Sequence, residues 1–387
     1  MRIAQVAPLY EAVPPRLYGG TERVVAHLAD ALTELGHDVT LFASGDSRSL
    51  ARLAPVRQRA LRLDPERSWD LPAHLAMLEE VRSRAHQFDI LHFHTDCVQM
   101  PLFRDMAERT VTTLHGRLDI KDLQAFMARF RHFPLVSISD HQRRPLSFAN
   151  FVGTVHHGLP TDLYPFQPAP AGDYLAFLGR ISPEKRPDRA IEIARRAGMK
   201  LKIAAKVDKA DAAYFHEQIE PLLADPLVEF VGEIGDGEKA AFLGNALALL
   251  FPIDWPEPFG LVMIEAMACG TPVVAWNRGS VPEIVEHGVT GFIVDDLHEA
   301  ATAVQQVTSL ERSRVRAVFE DRFSATAMAR AYVRIYHELA AVDARKVMPV
   351  RLPDAVVSPA LEPAAAPLEV VAAEQALQAN GRSRSRV

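Results

Sequence analysis

Between Ala248 and Trp276 the chain changes its structural period twice, and few folds accommodate that. The apolar run Ala248–Phe251 reads as a strand buried on both faces, a proline-rich turn follows, and Leu261 to Cys269 reads as a helix stopped by Gly270. Pro272 to Trp276 then returns to strand, which makes a strand–loop–helix–strand unit with a parallel sheet behind it. In such a unit a ligand sits beyond the carboxyl end of the strand, where the first turn of the helix offers unpaired backbone N–H groups. Phe259, Gly260 and Leu261 would supply those donors, and a diphosphate is the expected guest.

Two glutamates flank this turn, Glu257 and Glu265, with seven residues between them. Carboxylates repel phosphate, so both are better placed as acceptors for hydroxyl groups. Phosphate together with hydroxyls suggests a nucleotide sugar. The string Glu257-Pro-Phe-Gly-Leu to Glu265-Ala-Met-Ala-Cys-Gly-Thr-Pro-Val-Val resembles the paired-glutamate signature of retaining family 4 glycosyltransferases of GT-B architecture. Its continuation, Gly279-Ser-Val-Pro-Glu283-Ile-Val and Gly288-Val-Thr-Gly291-Phe-Ile-Val, is similar to the same family. The resemblance covers residues 1 to 340 and implies an α/β fold of two facing Rossmann-like domains with an interdomain cleft.

Charge and cysteine usage narrow the partners. The formal net charge of −6 leaves no electrostatic footprint for nucleic acid. Cys97 and Cys269 are the only cysteines, too far apart in sequence to suggest a disulfide scaffold or a cysteine metal site, and a reducing cytoplasm is expected. No apolar run approaches the length of a membrane span, which leaves peripheral membrane contact open.

The first half alternates strand and helix from residue 3 onward. Gly19 and Gly20 precede a helix marked by Val24, Val25, Leu28 and Leu32, and beside Thr21-Glu-Arg they resemble the family's amino-terminal glycine loop, which approaches the donor diphosphate. A tight turn with nothing bound is the plainer account of the same pair. Phe88 to His94 reads as a strand with His92 and His94 on one face, more structural than catalytic in character. Val111 to Gly116 is a further strand, and by resemblance His115 lines the sugar pocket, its main-chain carbonyl facing the reacting carbon. Leu123, Phe126, Met127 and Phe130 form a helical stripe that fits core packing better than a membrane surface. Many relatives carry Asn before Gly158, where this chain has His157.

In the second half, the strand from Tyr174 leaves two cations, Arg180 and Lys185, in its exit loop. An arginine fork and a mobile lysine suit a diphosphate leaving group, because fixed cations stabilise the charge that builds on it in the transition state. By resemblance these are the residues that hold the donor diphosphate. A helical stretch is expected over Ala212 to Leu223, and Gly232-Glu233-Ile234 lies near the nucleobase by analogy. Glu283 is expected to be structural or a cap partner.

The expected organisation is an amino-terminal Rossmann-like domain (1–165), a nucleotide-sugar domain (172–322), a helix crossing back to the first domain (323–345), and a disordered tail (346–387) rich in Pro and Ala. The expected activity is transfer of a sugar from a nucleotide-sugar donor to an unidentified acceptor, on the same face and without a metal or other cofactor. Roles follow by resemblance: Arg180, Lys185, Glu257 and His115 in catalysis, and Gly19, Gly20, Phe259, Gly260, Leu261 and Glu265 in donor binding. A nucleotide-sugar epimerase or phosphorylase, or a non-catalytic nucleotide-sugar-binding protein, remains an alternative.

Overall fold

A computed structural model describes residues 1–346 apart from 17–18 and 67–68. The expected disordered tail from 347 onward, and Tyr18 of the glycine loop, lie outside the described residues. Among the described residues, thirteen strands form two wholly parallel sheets. The first holds β1 (Arg2–Val6), β2 (Asp38–Ser44), β3 (Arg52–Arg57), β4 (Ile90–Phe93), β5 (Thr110–Thr113), β6 (Leu135–Ser137) and β7 (Phe151–Thr154), in the order β3-β2-β1-β4-β5-β6-β7. The second holds β8 (Tyr174–Arg180), β9 (Lys200–Lys206), β10 (Val228–Gly232), β11 (Ala248–Phe251), β12 (Val273–Trp276) and β13 (Gly291–Val294), in the order β10-β9-β8-β11-β12-β13.

Parallel strands need crossovers, and helices on both faces bury them, which is why central strands read as unbroken apolar runs. Ala248–Phe251 and Val273–Trp276 are buried at every residue. In each sheet the strand order reverses at one place, between β1 and β4 and between β8 and β11. Loops leaving neighbouring strands diverge at such a switch point, and ligands bind in the opening.

The last helix, Ala325–Lys346, lies against the first sheet rather than the second, where Met328, Tyr332, Ile335 and Tyr336 enter one core with Val25, Leu28, Val111 and Val136. On the opposite face of that sheet Met127, Phe130 and Phe133 are buried with Phe93 and Phe103, so the Leu123–Phe133 stripe faces the core. Its regular helix is only Lys121–Met127. The single helix expected over Ala212–Leu223 is instead a short α turn, a π turn at Phe215–Ile219 and a 3₁₀ turn that begins at Glu220. Pro221, without an N–H and with a fixed φ, accounts for the change at that point.

Candidate functional site

The expected donor residues collect around the second switch point. Arg180 ends β8, Lys185 lies in the following turn, and the loop 252–260 leaves β11. Gly260 stands at φ 82°, the left-handed region, as the cap of the helix Leu261–Ala268. A Cβ there would lie 2.8 Å from Met263 Cε and 3.0 Å from Phe251 Cζ, so glycine is required on both counts. The amides at the start of that helix have no intrahelical acceptors and point outward.

Glu257 is fixed from several sides. Its Oε2 accepts from Trp255 Nε1 at 2.9 Å and from the Lys185 ammonium, while the Lys185 Nζ lies 5.0 Å from the Trp255 ring centroid. Lys185, expected at the diphosphate, and Glu257, expected at the sugar, therefore meet directly. Gly279 explains why the backbone can do this: at φ +57° it presses on Glu257, and a Cβ would come within 2.4 Å of both the Glu257 amide nitrogen and its carbonyl oxygen. Ser280 then donates its backbone N–H to Glu257 O at 3.0 Å and its hydroxyl to Phe259 O at 2.7 Å, which locks the loop.

Arg180 is ion-paired with Glu184, and Asp208 and Asp211 lie 3.7 and 3.8 Å from its guanidinium. Glu265 is buried and accepts from the Tyr164 phenol at 3.1 Å, with Lys239 Nζ 3.6 Å away. Tyr164 comes from the connector between the two sheets.

Across the opening, the first sheet presents its own strand ends. A Cβ on Gly20 would lie 3.8 Å from Leu261 Cδ1, so the glycine loop does face the start of the Leu261 helix. Gly19 stands in extended backbone with Pro15 close by, where a Cβ would approach Pro15 Cβ at 2.9 Å. His115 is half-buried just beyond the end of β5. Gln142 Nε2 donates to the carbonyls on either side of it, Leu114 O and Gly116 O, each at 2.8 Å. His115 Nε2 shares a hydrogen bond with His94 Nδ1 at 2.8 Å, and its ring stacks on His157 at 5.2 Å. His157 in turn lies 4.8 Å from the Phe259 ring, joining the histidines to the donor loop.

These imidazoles are neutral. Burial pushes His115 down to about 3, and burial with neighbouring imidazoles holds His92, His94 and His157 well below the ordinary value. Their ring nitrogens form a buried network: His94 Nε2 with Gln5 Oε1 at 2.8 Å, and His92 with the Tyr336 hydroxyl at 2.7 Å and the Thr113 hydroxyl at 2.7 Å. His115 Nδ1 and His157 Nδ1 have no hydrogen-bond partner among the described residues.

Three contacts between the halves join residues that the sequence did not connect. Arg117 lies over the Trp255 ring at 5.8 Å, and Ser139 donates its hydroxyl to Pro258 O at 2.7 Å. Glu283 accepts from the Asp140 and His141 amides at 2.7 and 2.8 Å and from His156 Nε2 at 3.2 Å. Burial opposes the Glu283 charge, but the bonds from His156 and the two amides hold its carboxyl below the usual range. Glu283 is thus a bridge between the lobes rather than a local cap.

The sequence pattern described as Glycosyltransferase Family 4 matches residues 18–193, and that described as Glycosyl transferases group 1 matches residues 166–327. With two parallel lobes and a cleft at their switch points, the fold is GT-B, and the chain belongs to the group 1 glycosyl transferases of family 4. Among its relatives, the D-inositol 3-phosphate glycosyltransferase of Mycolicibacterium smegmatis is 33% identical over 168 residues, 40% of this chain and 35% of that protein. This chain therefore aligns with about a third of that relative's length. The glycogen synthase of Mycobacterium tuberculosis is 26% identical over 86% of this chain and 94% of its own. Among solved structures, AviGT4, a glycosyltransferase involved in avilamycin A biosynthesis, superposes with a TM-score of 0.67 at 25% identity, covering 88% of this chain and 98% of AviGT4.

Proposed function

We propose that the protein moves a glycosyl unit from a nucleoside-diphosphate sugar to an acceptor hydroxyl, with retention at the anomeric carbon and without a metal ion or organic cofactor. The observation that carries this reading is the convergence of Lys185, Glu257, Trp255 and the Gly260–Leu261 helix start at one switch point, opposite Gly20 and His115. In roles, Arg180 and Lys185 grip the diphosphate, which competes with the carboxylates that hold those cations, and the amides of Phe259 to Leu261 and the Gly19–Gly20 loop approach it. Glu257 Oε2 is occupied by Lys185 and Trp255, which leaves Oε1 to accept from a sugar hydroxyl. Glu265, oriented by the Tyr164 phenol, accepts from ribose hydroxyls. The His115 carbonyl, between two carbonyls tied down by Gln142, faces the anomeric carbon.

In the transfer step the bond from the anomeric carbon to the phosphate oxygen breaks first, and the diphosphate leaves with its electron pair. The acceptor oxygen bonds to the same face of the sugar, and its proton passes to the departing phosphate oxygen. Fixed cations and the helix start stabilise the growing negative charge. No helix among the described residues is long and apolar enough to cross a membrane. Two unpaired cysteines, one of them buried, support a reducing compartment, and we place the protein in the cytoplasm.

The experiment is a product assay with UDP-, GDP- and ADP-sugars against a panel of hydroxyl acceptors, with the anomeric configuration read by NMR and EDTA in parallel. Retained configuration with full activity in EDTA is expected. An inverted product overturns retention, activity restored only by added metal overturns the metal-free step, and epimerised or unreacted donor overturns transfer.

A further inference from the structure

A cavity of about 350 Å³ opens away from the donor residues, between the exit of β7, the end of the helix Arg312–Arg322 and the first turns of the last helix. Its floor is apolar, with Met328 and Ala331, and its rim carries three guanidiniums, Arg322, Arg330 and Arg334, together with His156. Asp321 is the one acid that lines it. Arg322 is preorganised: Nη1 donates to Glu286 Oε1 and Nη2 to Glu283 O, each at 2.6 Å. Arg330 and Arg334, one turn apart on the last helix, are exposed, and neither has an ion pair among the described residues.

Guanidinium forks match phosphate oxygens bidentately, and with Arg322 paired to Glu286 the exposed Arg330 and Arg334 still outnumber Asp321 at the opening. The volume stands at the small end of the roughly 300–1,000 Å³ of small-molecule sites, room for one sugar-sized body with its phosphate rather than a nucleotide. We propose that this cavity is a binding site for a phosphate monoester, separate from the donor cleft. Arg330 and Arg334 take the phosphate, Arg322 supplies a fixed third cation, and the apolar floor receives the ester's carbon skeleton. The site touches the bridge between the lobes, because His156 and Arg322 in its wall are the residues bonded to Glu283 and Glu286. A ligand seated there acts on the bridge through those two side chains.

The test is titration calorimetry of the full chain with glucose 6-phosphate, inorganic phosphate and glucose. The same titrations are run on Arg330→Ala/Arg334→Ala and, as a control for phosphate binding in the donor cleft, on Lys185→Ala. The proposal expects both anions to bind the parent and Lys185→Ala alike, no heat from glucose, and a loss of about tenfold or more in affinity in the double variant. Tighter binding of glucose 6-phosphate than of phosphate identifies an ester as the ligand, and equal binding identifies free phosphate held by the same cations. Absence of binding by both anions, unchanged affinity in the double variant, or loss of binding in Lys185→Ala overturns it. Since both exchanged arginines are exposed, unchanged circular dichroism is expected to accompany the loss.

Discussion

Acidification from pH 7 to 5 should weaken the protein far more than surface charge alone would do, because imidazoles held neutral in the fold take up protons once it opens. In the unfolded chain each histidine takes up a proton near its ordinary value of 6.5, whereas in the fold His115 stays neutral down to about 3 and His92, His94 and His157 are depressed in the same sense. Between those limits the unfolded state binds more protons, so stability is lost as pH falls through 6.5, by about 1.4 kcal/mol per pH unit for each fully neutral site. At pH 5 that is about 2 kcal/mol for His115, a sizeable part of the roughly 5–15 kcal/mol of an ordinary protein, and His92, His94 and His157 act in the same direction. His37 and His141, partly buried, act in the same direction. Glu22 and Asp96 act in the opposite one, since burial raises their carboxyls and the fold then gains protons first. Their effect begins above the ordinary carboxyl values, inside the same window, and offsets part of the loss. The assay is the urea midpoint at pH 7.5, 6.5, 5.5 and 5.0 for the parent and for His157→Asn, in which the slope should be shallower. A midpoint that does not move between pH 7.5 and 5, or a variant with the parent's slope, would refute buried neutral imidazoles as the cause.

Lys185→Ala should lower turnover by a factor of roughly a hundred or more, as loss of a transition-state charge partner does, with circular dichroism unchanged; near-parental turnover would contradict the assigned role. Gly279→Ala forces a Cβ to within 2.4 Å of the Glu257 backbone at a left-handed residue and should cost roughly 2 kcal/mol or more in unfolding, together with most of the activity. A fully active variant of unchanged stability would show that the loop has slack. Glu283→Ala leaves the Asp140 and His141 amides and His156 without their acceptor, so a loss of about 2–3 kcal/mol is expected from thermal unfolding. An unchanged Tm would mean that the bridge between the lobes carries no net stability.

The donor loop was legible because its signals are local. Gly260 and Gly270 punctuate the helix, the flanking apolar runs announce buried strands, and the two glutamates sit within that one unit. The edge strands were not. Arg52–Arg57 carries Pro55 and two arginines and is only partly buried, and Phe151–Thr154 is half-buried throughout, so neither shows the unbroken apolar run of a central strand. The missed site residues share a different cause. Arg117 over Trp255, Tyr164 on Glu265 and Ser139 on Pro258 are contacts between distant parts of the chain, and no spacing rule joins them. The His94–His115–His157 cluster shows both limits. Alternation put His92 and His94 on one face, but only the meeting of β4, β5 and the segment after β7 brings His157 onto His115. The pairing of Lys185 with Glu257 was hidden for the same reason, since 72 residues separate them.

Titration of the full chain with UDP, GDP and ADP, alongside Lys185→Ala, tests the donor cleft most directly. The account predicts one site for at least one of these nucleotides, and an affinity for it reduced about tenfold or more when the lysine is removed. If none of the three binds, or if Lys185→Ala binds as tightly as the parent, the cleft between the two sheets is not where a nucleoside diphosphate is held.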